Sequence, residues 1–163
     1  MSKPIGKIPS NPSPQVQTAL DFVEYLAAKD FKSMESILSE DYTQIVRPKS
    51  MPLSKRPLNK TESLQVIEAI DSAMKSSHSI PTIEDLVEVG NTVIIHVSSE
   101  PAGENIQPGG PESHEFLFWF DVRQEADGKW RVLTFKEFVD SKHMLEFFVG
   151  NKVQLPTSLL STL

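Results

Sequence analysis

The spacing of apolar positions changes partway along the chain. From Pro14 to Lys29, Val16, Leu20, Val23 and Ala27 recur at helical spacing, with Phe22 and Leu26 widening the stripe. This predicts a first helix with Ser13 as its N-cap and Pro14 at its first position. Asp30 opens a second, short helix whose buried side is Phe31, Met34, Ile37 and Leu38. Residues 41–46 read as a short strand. After a loop, Asn59 or Thr61 caps a third helix to about Ser77, carrying Leu64, Ile67, Ile70 and Met74. The period then drops to two. Ile83 to Val89 and Thr92 to Ser99 read as strands joined by a two-residue turn at Gly90-Asn91, and 114–139 reads as a longer hairpin turning at Asp127-Gly128. Asp140 or Ser141 caps a last helical turn through Met144, Leu145 and Phe148.

In the long hairpin, alternation sets Phe116, Phe118, Phe120 and Val122 on one face. Glu115, Leu117, Trp119, Asp121 and Arg123 fall on the other. Neither face is purely polar, so both are expected to be covered, one by helices and the other by a second layer or subunit. On the return strand, strict parity groups Glu137 with Arg131, Leu133, Phe135 and Val139.

The segments outside this pattern divide the chain. Residues 1–13 carry Pro4, Pro9 and Pro12 and are expected to form an extended or disordered arm. Residues 14–149 form one α+β domain, and 150–163 form a tail in which Leu155, Leu159 and Leu160 could pack on a neighbour. Between the second and third helices, 47–60 holds three prolines and five basic residues with no acid, and so reads as a loop. Residues 100–113 form a second, Gly- and Pro-rich loop.

Composition narrows the function. A chain of 163 residues with 39% hydrophobic content suits a single core. A net charge of −6 argues against general affinity for nucleic acid. The absence of cysteine removes disulfides and thiolate metal sites. The four histidines are scattered without metal-ligand spacing, so no metal is expected. Gly109-Gly110 lacks the Lys-Ser/Thr of a phosphate loop, and no Gly-x-Ser-x-Gly elbow is present. No cofactor is expected. With no apolar run of membrane length and no hydrophobic leader, no membrane partner is expected, and a cytoplasmic setting is the default.

Three motifs in order carry a resemblance. Phe22-Val23-Glu24-Tyr25-Leu26 leads to Asp41-Tyr42, and Asn59-Lys60-Thr61-Glu62 opens a helix after a proline-bearing loop. Asp127-Gly128-Lys129-Trp130-Arg131-Val132 then runs into Lys136-Glu137-Phe138-Val139-Asp140. Over about residues 14–148 the chain resembles the nuclear transport factor 2-like superfamily, its SnoaL-like cyclase branch in particular. The resemblance implies a curved, mainly antiparallel sheet wrapped as a cone around three N-terminal helices. It also implies a ligand cavity between sheet and helices, and a homodimer through the sheet's outer face. It does not imply one chemistry. The superfamily includes ketosteroid isomerase, scytalone dehydratase, limonene epoxide hydrolase, polyketide cyclases and proteins without catalysis.

A carboxylate among aromatic groups is desolvated, and its raised pKa makes it a proton carrier near neutrality. Asp121, beside Trp119 on an aromatic strand, is one candidate. Its alternative is a strand-end residue paired with Arg123 or Arg131. Glu137, flanked by Phe135 and Phe138, is another, with a structural ion pair as its alternative. His96 lies among Ile94, Ile95 and Val97 and could shuttle protons, or be a satisfied core or interface histidine. Tyr42, His114, Trp119 and Phe135 are candidates for the cavity wall. Two functions remain open: cofactor-free isomerisation, cyclisation or dehydration of a small apolar or phenolic molecule, or a non-catalytic ligand-binding or scaffold module. In the loop 47–60, Met51, Leu53 and Leu58 are expected to cover the cavity mouth, with Lys49, Lys55 or Arg56 attracting an anionic or phenolate ligand.

Overall fold

In a computed structural model, residues 3–73, 79–101 and 114–151 are described. The chain runs β1 (Ile5–Gly6), α1 (Pro14–Ala28), α2 (Phe31–Ser36), β2 (Leu38–Arg47), a 3-10 turn (Pro52–Ser54), β3 (Leu58–Asn59) and α3 (Lys60–Ala73). It continues through β4 (Ser79–Val89), β5 (Thr92–Pro101), β6 (His114–Gln124), β7 (Trp130–Val139) and α4 (Ser141–Asn151). The strands form one curved, unclosed sheet in the order β1-β4-β5-β6-β7-β2-β3. The β4–β5–β6–β7 meander is antiparallel, while β2 joins β7 in parallel. Among the described residues, no helix is long and apolar enough to cross a membrane.

Local chemistry sets the helix starts. Ser13 accepts from the Val16 N–H to cap α1, and Asp30 accepts from Ser33 to cap α2. At α3, Asn59 Oδ1 accepts from the Glu62 N–H while Glu62 accepts from the Asn59 N–H, a reciprocal capping box. The first helix buries Val16, Ala19, Leu20, Phe22 and Val23 against the sheet. There Phe22 meets Phe120 edge-on at 5.3 Å and Phe135 at 4.7 Å, and Phe118 meets Phe135 at 5.0 Å.

Tertiary pairing overrides the sequence pattern in three places. Ile37 and Leu38 do not continue α2. Leu38 starts β2 because Ile37 O takes the Val132 N–H and Leu38 pairs with Val132 across the sheet. Nor is the N-terminal arm simply a tail, because Ile5 and Gly6 pair in parallel with Thr82 and Ile83 at the sheet edge. Gly6 has φ +101°, and a Cβ there would lie 2.4 Å from Ile83 O, so this approach requires glycine. The third is a bulge in β7. Asp121 faces Thr134 and Val122 faces Val132, leaving Leu133 as the extra residue. Parity therefore breaks at Leu133. Val132 joins Phe135, Glu137 and Val139 on the helix-bearing face, and Arg131 and Leu133 leave the group that strict alternation gave them.

Candidate active-site cavity

A cavity of about 180 Å³ lies between the helices and the inner face of the sheet. Its wall is mostly apolar, with Phe116, Phe118, Phe135 and Val97 from the sheet and Val66 and Ile70 from α3 among the lining residues. Met51 and Leu53 of the loop after β2 close one side, and Met144 and Phe148 of α4 another. The charged groups on its lining are Glu137, Lys29 and Asp71. Lys29 and Asp71 are part-exposed and bind each other at 2.7 Å, which puts them at the rim. Glu137 is half-buried on the cavity wall, held there by Gln44.

Glu137 reaches this wall through the β7 bulge and the parallel pairing with β2, where it stands beside Val46. Gln44 Nε2 donates to its Oε1 at 2.5 Å. Gln44, 2% exposed, in turn accepts from Ser63 Oγ, and Ser63 Oγ lies 3.3 Å from the Tyr42 hydroxyl. Alternation along β2 turns Tyr42, Gln44 and Val46 inward, and Ser63 comes from the first turn of α3. Desolvation raises the Glu137 pKa to about 7, against the smaller downward pull of the Gln44 hydrogen bond. Burial also pushes the Tyr42 phenol far up, so it stays protonated and serves as a hydrogen-bond donor. Among the described residues no group of three or more His, Asp or Glu could hold a metal.

No family model and no curated protein matches the sequence. Solved structures do match the fold. PrhC from Penicillium brasilianum superposes with a TM-score of 0.66 at 18% identity, over 86% of this chain and 91% of its own. A SnoaL-like polyketide cyclase candidate from Shewanella putrefaciens gives 0.60 at 14% identity, over 89% and 99%. An NTF2-like protein of unknown function from Burkholderia pseudomallei gives 0.61 at 14% identity, over 83% and 98%. The chain has the SnoaL-like, NTF2-like fold.

Within this NTF2-like fold the candidate residues separate. Glu137 and Phe135 line the cavity, and Tyr42 stands behind it through Ser63. Asp121, His96 and Trp119 do not line it. Asp121 binds Arg123 at 3.0 Å, as its alternative reading had it, and His96 Nε2 lies 2.5 Å from Glu115 Oε1. Trp119 pairs with Ile94 and Lys136 on the outer face. Trp119 and Asp121 have the parity opposite to Phe118 and Phe120, and His96 pairs with Leu117 on that same face, which carries all three away from the helices. The backbone of His114 opens β6 opposite Ser99, and its side chain lies outside the described residues. In the basic loop, Met51, Leu53 and Leu58 are buried. Arg56 is committed to a two-pronged pair with Glu62 at 2.7 and 2.8 Å, which leaves Lys49 and Lys55 as its exposed cations. Gln44 and Ser63 were not among the residues singled out from sequence. Each is polar at an inward-facing position, Gln44 between Tyr42 and Val46 and Ser63 one turn before Val66 and Ile67.

Proposed function

We propose that the protein binds a small, largely apolar molecule in this cavity and exchanges a proton with it through Glu137. The observation that carries this reading is a carboxyl with a pKa of about 7 on the wall of an otherwise apolar cavity. Near neutral pH both of its forms are populated, so one group can take a proton and return it. Glu137 carboxylate removes a hydrogen next to a carbonyl, or from a phenol or enol, and the resulting acid delivers it to another atom of the same molecule. Isomerisation, cyclisation and dehydration are all built from that pair of steps and need no cofactor. The size of the cavity bounds the ligand. It is close to the roughly 150 Å³ that accepts a benzene ring and below the range of drug-sized pockets, so one or two rings fit.

Native mass spectrometry after mild isolation is expected to show a bound small molecule. A Val97→Phe variant, which fills the cavity, is expected to lose it. In D2O the wild type is expected to exchange a hydrogen of that molecule at least about a hundredfold faster than Glu137→Gln. Equal exchange in both would favour the second reading, a ligand-binding module without catalysis. A specific observation favours that reading too: Asp121 and His96 lie on the outer face, and among the described residues the other charged groups on the cavity lining, Lys29 and Asp71, are paired with each other at the rim.

We also propose that two copies pair through the outer face of the sheet. Ile94, Trp119, Leu117 and Phe138 are joined there by cross-strand register, and Phe138 is 47% exposed. Sedimentation at micromolar concentration is expected to give twice the 18.2 kDa chain mass, and Trp119→Glu to return it to one. A single-chain species in the wild type would contradict the pairing.

A further inference from the structure

The hydrogen bonds behind Glu137 have a direction. Tyr42 is 1% exposed and keeps its hydroxyl hydrogen, which a buried phenol has to place on an acceptor. Among the described residues its hydrogen-bond partner is Ser63 Oγ. A hydroxyl that accepts from Tyr42 turns its own hydrogen elsewhere, and Ser63 Oγ meets Gln44 Oε1. With its carbonyl oxygen engaged there, the Gln44 amide can present only N–H to Glu137. Every donor in the row therefore points at the carboxyl.

The reverse arrangement is poorer. Glu137 would have to be protonated and donate to Gln44, Gln44 to Ser63, and Ser63 to Tyr42. The Tyr42 hydrogen would then be left in the core without an acceptor. From this geometry we propose that Ser63 is a positioning residue, orienting the Gln44 amide so that Glu137 rests as a proton acceptor. One consequence concerns the site of proton transfer. Oε1 is held by Gln44 N–H, so an arriving proton is carried by Oε2, which has no hydrogen-bond partner among the described residues. The use of that proton in a reaction rests on the proton-exchange reading above, whereas the direction of the hydrogen bonds does not. The other charged groups on the cavity wall, Lys29 and Asp71, are paired with each other at the rim.

The test is the titration of the Glu137 side-chain carboxyl, followed by 13C NMR in ligand-free protein. Ser63→Ala removes what holds the amide, letting it turn its oxygen to a protonated Glu137. The midpoint is expected to rise by about half a unit to one unit, a three- to tenfold tighter proton. Gln44→Leu deletes the donor and is expected to raise it at least as far. Tyr42→Phe is expected to stay close to the wild type, because the Ser63 hydroxyl then ends the row and still donates to Gln44. An unchanged midpoint in Ser63→Ala would overturn the proposal. So would a rise in Tyr42→Phe as large as that in Ser63→Ala, since that would trace the effect to packing. No ligand is present in this experiment, so loss of D2O exchange and loss of the Ser63 effect are separate failures.

Discussion

Replacing Glu137 by Gln is expected to stabilise the protein at pH 8 by up to about 3 kcal/mol and to change little near pH 4. The folded carboxyl titrates at about 7 against an ordinary value of 4.5. Below the ordinary value both folded and unfolded chains hold the proton, and burial carries no ionic penalty. Between the two values the unfolded chain has released its proton while the folded chain keeps it, so stability falls as pH rises. Above about 7 the folded chain must bury a carboxylate, and the full difference is lost, roughly 3 kcal/mol for a shift of this size. Glutamine carries no such charge and its curve should stay flat across the window. Urea unfolding of both proteins at pH 4 and pH 8 measures this. A gap of the same size at both pH values would show that the change is one of packing.

The largest loss is expected in the aromatic cluster. Phe120 is fully buried, stacked on Phe135 at 5.1 Å and edge-on to Phe22 at 5.3 Å. Phe120→Ala removes a ring that neighbours on α1 and β7 cannot collapse to replace, and should cost about 3–5 kcal/mol. Trp119, one position earlier, has the larger side chain but faces outward. Trp119→Ala in a single chain should cost less than about 1.5 kcal/mol. Denaturant midpoints of the two variants, taken at concentrations where chains are separate, decide between the faces. Equal losses would place both residues in the core and undo the face assignment on which the cavity depends.

That assignment was legible in the sequence where periodicity alone decides it. Phe116, Phe118 and Phe120 alternate with Leu117 and Trp119 without interruption, so the division into two faces follows from the pleat. Both faces carry large apolar groups, however, and the pattern alone does not tell which one meets the helices, hence the misplacing of Trp119 on the cavity wall. The turns at Gly90 and Gly128 were equally plain, because positive φ there calls for residues that tolerate it. Glu137 is recognisable as a candidate, but unbroken parity misplaces its neighbours, because the bulge at Leu133 carries no mark that a single sequence displays. Apolar neighbours also single out Asp121, beside Trp119, and His96, among Ile94, Ile95 and Val97. Apolar neighbours along a strand include both faces, so they do not tell a cavity wall from an outer surface. Gln44 and Ser63 had the opposite signal, single polar residues at inward positions, and that signal gains meaning only once β2 and α3 are seen to face each other. The Ile5–Gly6 strand depends on a docking site 75 residues or more away, which local composition does not report.

The proposed chemistry rests on one property, a cavity-facing carboxyl that changes charge near neutral pH. Titrating the Glu137 13C carboxyl resonance in the wild-type protein measures it directly. The expected midpoint is about 7, and the resonance should vanish from its place in Glu137→Gln. A midpoint near 4.5, the ordinary value for a solvated glutamate, would contradict the account.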